Sequence, residues 1–307
     1  MRTRARFPDV ARDAGHYESF YIKAAHPSEP RAVWIRHTVW KAPGGAAVGS
    51  LWCTLFDASW ERPVAFKQSL PDVSAPEGEY LRIGDTRFAP GAVDGPHWSL
   101  TFEGDAEPFP YLPRPWMYTA RLPRTKAESL YPAVRFSGRA ELGGRVVELD
   151  GWPGMIGHNW GAEHAERWIW LHGAGLDAIM GRVKLGPWTV PWIANGFVEL
   201  DGERRRLGGI EKVRATKVDE QADRLRFSLP GAGGLVVDGE LEAPRPTLVG
   251  WTYSDPGGGS HNVVHSSVAD LRLTVGGRTL QQRGGATYEL GMREAPDGVP
   301  IEPFPDP

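Results

Sequence analysis

Apolar residues alternate with polar ones in short runs along this chain, and turn-forming residues interrupt the runs often. Phe20–Ile22, Val33–Trp40, Ser50–Phe56, Val64–Phe66, Trp98–Phe102, Val134–Phe136 and Val146–Leu149 read as strands. In the second half Trp168–Leu171, Ile193–Val198, Leu225–Leu229, Leu248–Tyr253, Val263–Val268, Leu271–Val275 and Thr287–Leu290 do the same. Glycine pairs at Gly143–Gly144, Gly208–Gly209, Gly233–Gly234 and Gly276–Gly277 mark turns, the last a hairpin between two strand-like runs. Helix is expected only near Pro8–Ala14 and over Thr125–Leu130. Glycine and proline supply 38 and 27 of the 307 residues, which leaves little room for long helices. Many short strands with regular turn signals predict an all-β protein of barrels or sandwiches.

The pattern also suggests a duplication. A shift of 148 places His16, Glu18 and Phe20 on His164, Glu166 and Trp168, and Glu141–Gly143 on Glu289–Gly291. The expected organisation is two similar β modules, 1–155 and 156–307, joined at the glycine-rich stretch 151–157. One continuous β domain is the alternative.

Charge and cysteine usage narrow the function classes. A net charge of −3 gives no field to hold nucleic acid or an anionic membrane, and Cys53 alone excludes a disulfide framework and a multi-cysteine zinc site. No apolar run reaches the length of a membrane span, and no apolar core follows the basic N-terminus, so a cytoplasmic location is expected. The histidines show no familiar ligand spacing. His261 and His265 sit in a strand-like run, where their rings would be roughly 13 Å apart, too far to share one ion. Neither metal nor cofactor is expected. Gly173–Gly175 has the glycines of a nucleotide loop, but Gly181 and Gly186 truncate the helix such a loop needs.

Chemistry concentrates in residues 157–172, which hold His158, Asn159, Trp160, Glu163, His164, Glu166, Trp168, Trp170 and His172. If 166–172 is a strand, Glu166, Trp168, Trp170 and His172 share one face, and Arg167, Ile169 and Leu171 share the other. An acid, two indoles and an imidazole on one face suit an apolar ligand that develops positive charge. A glutamate among apolar groups has its acid form favoured. The competing reading is a structural core with tryptophan as filler. The aromatic loop 108–126 offers Trp116 and Tyr118 as a lid.

The stretch Gly151–Gly161, with Asn159-Trp160-Gly161, and the later Trp168-x-Trp170 resemble the lipocalin-like superfamily of carotenoid hydratases (hydroxyneurosporene synthases), AttH-like proteins, tocopherol cyclases and related Diels–Alderases. Leu122–Lys126 is similar to a segment of tocopherol-cyclase-like sequences. The resemblance implies two consecutive lipocalin-like antiparallel β-barrels with an apolar pocket in or between them. It also implies a hydrophobic ligand, isoprenoid- or polyketide-like, and proton-initiated hydration or cyclisation in some members. On that reading His158, Glu163, His164 or Glu166 supplies the acid. Asn159, Trp160, Trp168, Trp170, His172, Trp116 and Tyr118 line the ligand. A non-catalytic carrier needs the same pocket without the acid. A carbohydrate-binding or carbohydrate-cleaving β protein would instead pair Glu163 with Glu166.

Overall fold

The computed structural model describes residues 3–105, 107–185 and 188–304. It is built almost entirely of two curled, nearly closed antiparallel sheets, each forming a barrel-like shape. In the first, the order is Val64–Leu70, Ala47–Asp57, Arg31–Lys41, His16–Ala25, Arg145–Gly161, Thr125–Leu142, Trp98–Glu103, then the short strands back to Val73–Ser74. In the second it is Glu203–Gly208, Ile193–Leu200, Leu176–Arg182, Arg167–Gly173, Arg278–Met292, Ser260–Val275, Val236–Glu242, Arg224–Pro230 and Lys217–Glu220. The nine strands of the second order match the first nine of the first, which adds two short strands at its end.

The register of this match differs from the expected one. Phe20, Ile22 and Ala24 point into the first barrel, but Ile169 and Leu171 point into the second. A shift of 148 therefore lays the inward Phe20 on Trp168, which lies outside the second barrel. A slip of one residue exchanges the faces of a strand. Glu141 and Glu289 likewise lie on strands that occupy different places in their sheets.

Two boundaries also move. Residue 155 falls inside the strand Arg145–Gly161, and the join between the sheets lies between Gly161 and Arg167. Two of the three glycines read as a linker are crowded strand residues: a Cβ on Gly154 would lie 2.0 Å from the Lys23 carbonyl oxygen, and one on Gly157 would lie 2.2 Å from the Tyr21 ring. Gly157→Ala is expected to lower stability by about 1–3 kcal/mol by displacing that buried ring, measured as a shift in the urea unfolding midpoint. Thr125–Leu130, expected helical, opens the long strand Thr125–Leu142, because it pairs with Arg145–Gly161 along its length. That hairpin turns at Gly143–Gly144 (φ 57° and 74°), as its counterpart turns at Gly276–Gly277 (φ 56° and 76°). Positive φ at both turn positions favours glycine.

The barrels press their outer walls together. Tyr21, Trp34, Trp52, Phe56 and Met155 from the first meet Trp170, Val249, Trp251, Tyr253 and Val263 from the second in one buried cluster, separate from the two barrel cores. A strap from the first barrel crosses to the second: the Tyr111 hydroxyl donates to Asp177 (2.6 Å), and Arg206 donates to the Pro110 and Tyr111 carbonyls. No helix among the described residues is long and apolar enough to cross a membrane.

Candidate functional site at the seam

Ionisable groups are rare inside proteins unless paired, so where they collect is informative. Here they collect in two places.

The first lies inside the N-terminal barrel. The His158 ring is sandwiched between Phe20 (4.1 Å, 4°) and Trp160 (4.5 Å, 24°). Its Nε2 meets Glu18 at 2.7 Å and its Nδ1 meets Glu128 at 2.9 Å. Glu18 also accepts the backbone N–H groups of Arg6 and Phe7. Burial opposes its charge, but the hydrogen bonds from His158 and His16 outweigh that and hold Glu18 down at about 2. Burial likewise opposes the His158 imidazolium, and the two carboxylates outweigh it and raise its pKa. His158 is thus a fully enclosed brace whose charged form the two carboxylates favour. Asn159, one residue on, lies beside Ser19 on the strand pair 16–25/145–161, and Trp160 points inward under the Arg6 guanidinium.

The second place is the seam. Ser19 accepts two hydrogen bonds from the Arg36 guanidinium, which lies 4.1 Å above the Tyr253 ring. Glu289 accepts from Trp168 Nε1 (2.9 Å) and stands 3.4 Å from both the Tyr253 hydroxyl and His265 Nδ1. His164 leaves the connector between the barrels and stacks on Tyr17 (3.9 Å, 16°). Asp255 accepts both the His164 backbone N–H (2.9 Å) and its Nδ1 (2.8 Å), and His164 Nε2 is buried without a hydrogen-bond partner. Burial lowers the His164 pKa despite Asp255, so the ring is neutral at neutral pH. Burial raises the Tyr253 pKa, which keeps its hydroxyl protonated. Tyr17, Ser19, Arg36, Thr38, Trp52, His164 and Tyr253 are among the residues around a cleft enclosing about 340 Å³ of unfilled space, mouth included. About 30 Å³ of it is wide enough for water, room for a single molecule.

Most of the residues singled out in 157–172 fall into these two places, and some are displaced from their expected roles. The alternation of 166–172 holds, but Trp168 and Trp170 face the other barrel rather than a hollow in their own. Ile169 and Leu171 take the inward positions, and the Trp170 indole N–H points to Asp177. His172 lies on the same strand, half-buried, with its enclosed Nδ1 lacking a hydrogen bond. Glu163 and Glu166 are not immersed in apolar groups. Glu163 pairs with Arg124 and is 36% exposed; Glu166 pairs with Arg293 at 3.4 Å and is 28% exposed. Each sits on the connector before the strand begins, where the chain still meets water. Tyr118 is fixed by its hydroxyl, which donates to the Ala127 carbonyl and accepts from the Leu112 N–H. Trp116 lies outside on the surface, 63% exposed.

Arg36, Tyr253, Asp255 and Glu289 were not identified from sequence, and His261 and His265 were weighed there only as ligands of a shared ion and set aside. The available signal was Arg36 and His37 inside the apolar run Val33–Trp40, because charge inside such a run requires a buried partner.

No protein-family model matches the chain. Two uncharacterized proteins of Mycobacterium tuberculosis, Rv0493c and MT0513, are 24% identical to it over 294 residues, covering 91% of this chain and 87% of theirs. Two solved structures share its architecture at 11% identity and a TM-score of 0.53. An AttH-like protein from Nitrosomonas europaea matches over 94% of this chain and 97% of its own. Kievitone hydratase from Nectria haematococca matches over 92% and 89%. The chain therefore has the two-barrel, lipocalin-like fold that these two proteins have.

Proposed function

We propose that the seam binds a hydrophobic small molecule, isoprenoid- or polyketide-like, and catalyses its acid-assisted hydration or cyclisation. The observation that carries this reading is the cleft at His164: ionisable side chains that an adhesive interface has no need of surround a water-sized space with aromatic walls, and a ligand of this class enters it by parting the seam at its mouth. Asp255 orients His164 through Nδ1 and leaves Nε2 open, the arrangement of a proton acceptor. Tyr253, 5.9 Å from His164 between ring centres, holds a proton it can donate. In hydration, the Tyr253 hydroxyl protonates one carbon of a substrate double bond, His164 takes a proton from a cleft water whose oxygen bonds to the other carbon, and that proton then passes from His164 to the Tyr253 oxygen, so both residues are restored. Kievitone hydratase, similar in fold, is named for addition of water, which agrees with this reading.

The test uses water labelled with heavy oxygen and a panel of prenylated phenols and polyenes. Incorporation of one labelled oxygen, reduced about 10²–10⁴-fold in His164→Ala, is expected. Ligand retained unchanged, with no turnover on any panel member, makes the chain a carrier and overturns the catalytic part. No tryptophan fluorescence response to any member overturns the binding part as well.

A further inference from the structure

We propose that His164, Asp255 and His261 form a site for one divalent transition-metal ion of the zinc or iron(II) class. The three come from separate parts of the chain: the connector between the barrels, the turn after the strand Val249–Ser254, and the strand Ser260–Val275. One potential ligand atom from each lies within 4.8 Å of the others. His261 is fully buried with neither ring nitrogen hydrogen-bonded, its Nδ1 lies 3.5 Å from Asp255 Oδ2, and that oxygen and His164 Nε2 are buried without a hydrogen bond too. A buried polar atom without a partner is costly, and one ion that accepts a lone pair from each of the three side chains would relieve that cost.

The surroundings hold the set in place. Tyr17 stacks on His164, and the Trp168 ring lies 5.3 Å from His164 and 5.0 Å from His261. The Asp255 turn is closed by its own N–H to the Gly259 carbonyl and by the Gly258 N–H to its carbonyl. Two nitrogens and one carboxylate, with no sulfur, suit zinc or iron(II), whereas magnesium and calcium prefer oxygen throughout. Three protein ligands leave coordination positions for water or substrate. Arg293 stands 3.4 Å from Asp255 Oδ2 and balances its charge when no ion is present. That side chain is 36% exposed, so it can withdraw.

This inference adds an ion to the proposed seam site and rests on reading His164 as part of that site. A bound ion would take over from His164 the activation of water. Titrating the ion without any organic ligand separates the two ideas. The full chain, stripped with a chelator, is titrated with cobalt(II) by visible absorbance and with zinc by calorimetry. Uptake of one ion per chain is expected, about 10-fold weaker or worse in His261→Ala and Asp255→Asn. Arg293→Gln should bind more tightly, because a competing cation is gone. Absence of stoichiometric uptake, or undiminished uptake by His261→Ala, overturns the proposal. X-ray absorption of the zinc-loaded wild-type chain needs no variant to fold, and absence of imidazole scattering there overturns it equally.

Discussion

Glu18→Ala should destabilise the first barrel by about 3–5 kcal/mol, seen as an early unfolding transition in urea followed by tryptophan fluorescence. Glu18 is fully buried and serves His158 and the N–H groups of Arg6 and Phe7 at once. Alanine leaves the imidazolium with Glu128 alone and strands two backbone donors. Glu18→Gln keeps the shape but not the charge and should lie between wild type and alanine. The pH dependence has two limbs of opposite sign. The folded pKa of Glu18 is depressed to about 2, so its stabilisation is complete above the unfolded value near 4.5 and is lost as pH falls toward 2. The folded pKa of His158 is raised, so its stabilisation is complete below the unfolded value near 6.5 and is lost as pH rises through the folded one. The cluster therefore contributes most between about pH 4.5 and 6.5. An alanine variant within 1 kcal/mol of wild type across that window would refute the brace.

Lys23→Met should have the opposite sign, stabilising the chain by about 1–4 kcal/mol at neutral pH. Lys23 is 1% exposed in the seam, and its Nζ donates to the Gly285 carbonyl. Burial lowers its pKa to about 7, against a weaker opposing pull from Asp177. A base with a depressed folded pKa penalises the folded state fully below pH 7, and the penalty fades as pH rises toward its unfolded value near 10.5. Methionine fills similar space without the charge, and the Gly285 carbonyl keeps a donor in Gln282 Nε2 (2.9 Å). The difference between variant and wild type should shrink as pH rises from 7 to 10. A pH-independent difference, or a destabilised variant at pH 7, contradicts the assignment. Each of these two predictions removes one buried charge. The sign is set by whether the removal leaves other groups without partners.

The alternation of Val33–Trp40 and Trp168–Leu171 announced strands with two distinct faces, and the glycine pairs announced the hairpins. Fold class was legible because side-chain period and turn conformation are local properties of the backbone. The boundary at residue 155 was misplaced for a long-range reason: Gly154 and Gly157 are glycines because Lys23 and Tyr21 crowd them from the neighbouring strand. In one dimension that requirement looks the same as a flexible linker.

The site was legible by half. The segment 157–172 supplied His158, His164, Trp168 and Trp170, but the partners that define their roles lie up to 140 residues away, as Glu18 does from His158. Asp255 orients His164 through Nδ1, and two carboxylates favour the charged form of His158, although both histidines sit in one short stretch.

The sequence by itself determined an all-β chain and the alternating faces of its strands, because period and turn chemistry act between near neighbours. Only the tertiary structure decided that the indole face meets a second barrel, and which buried groups are charged, because burial and pairing depend on residues brought together from distant parts of the chain.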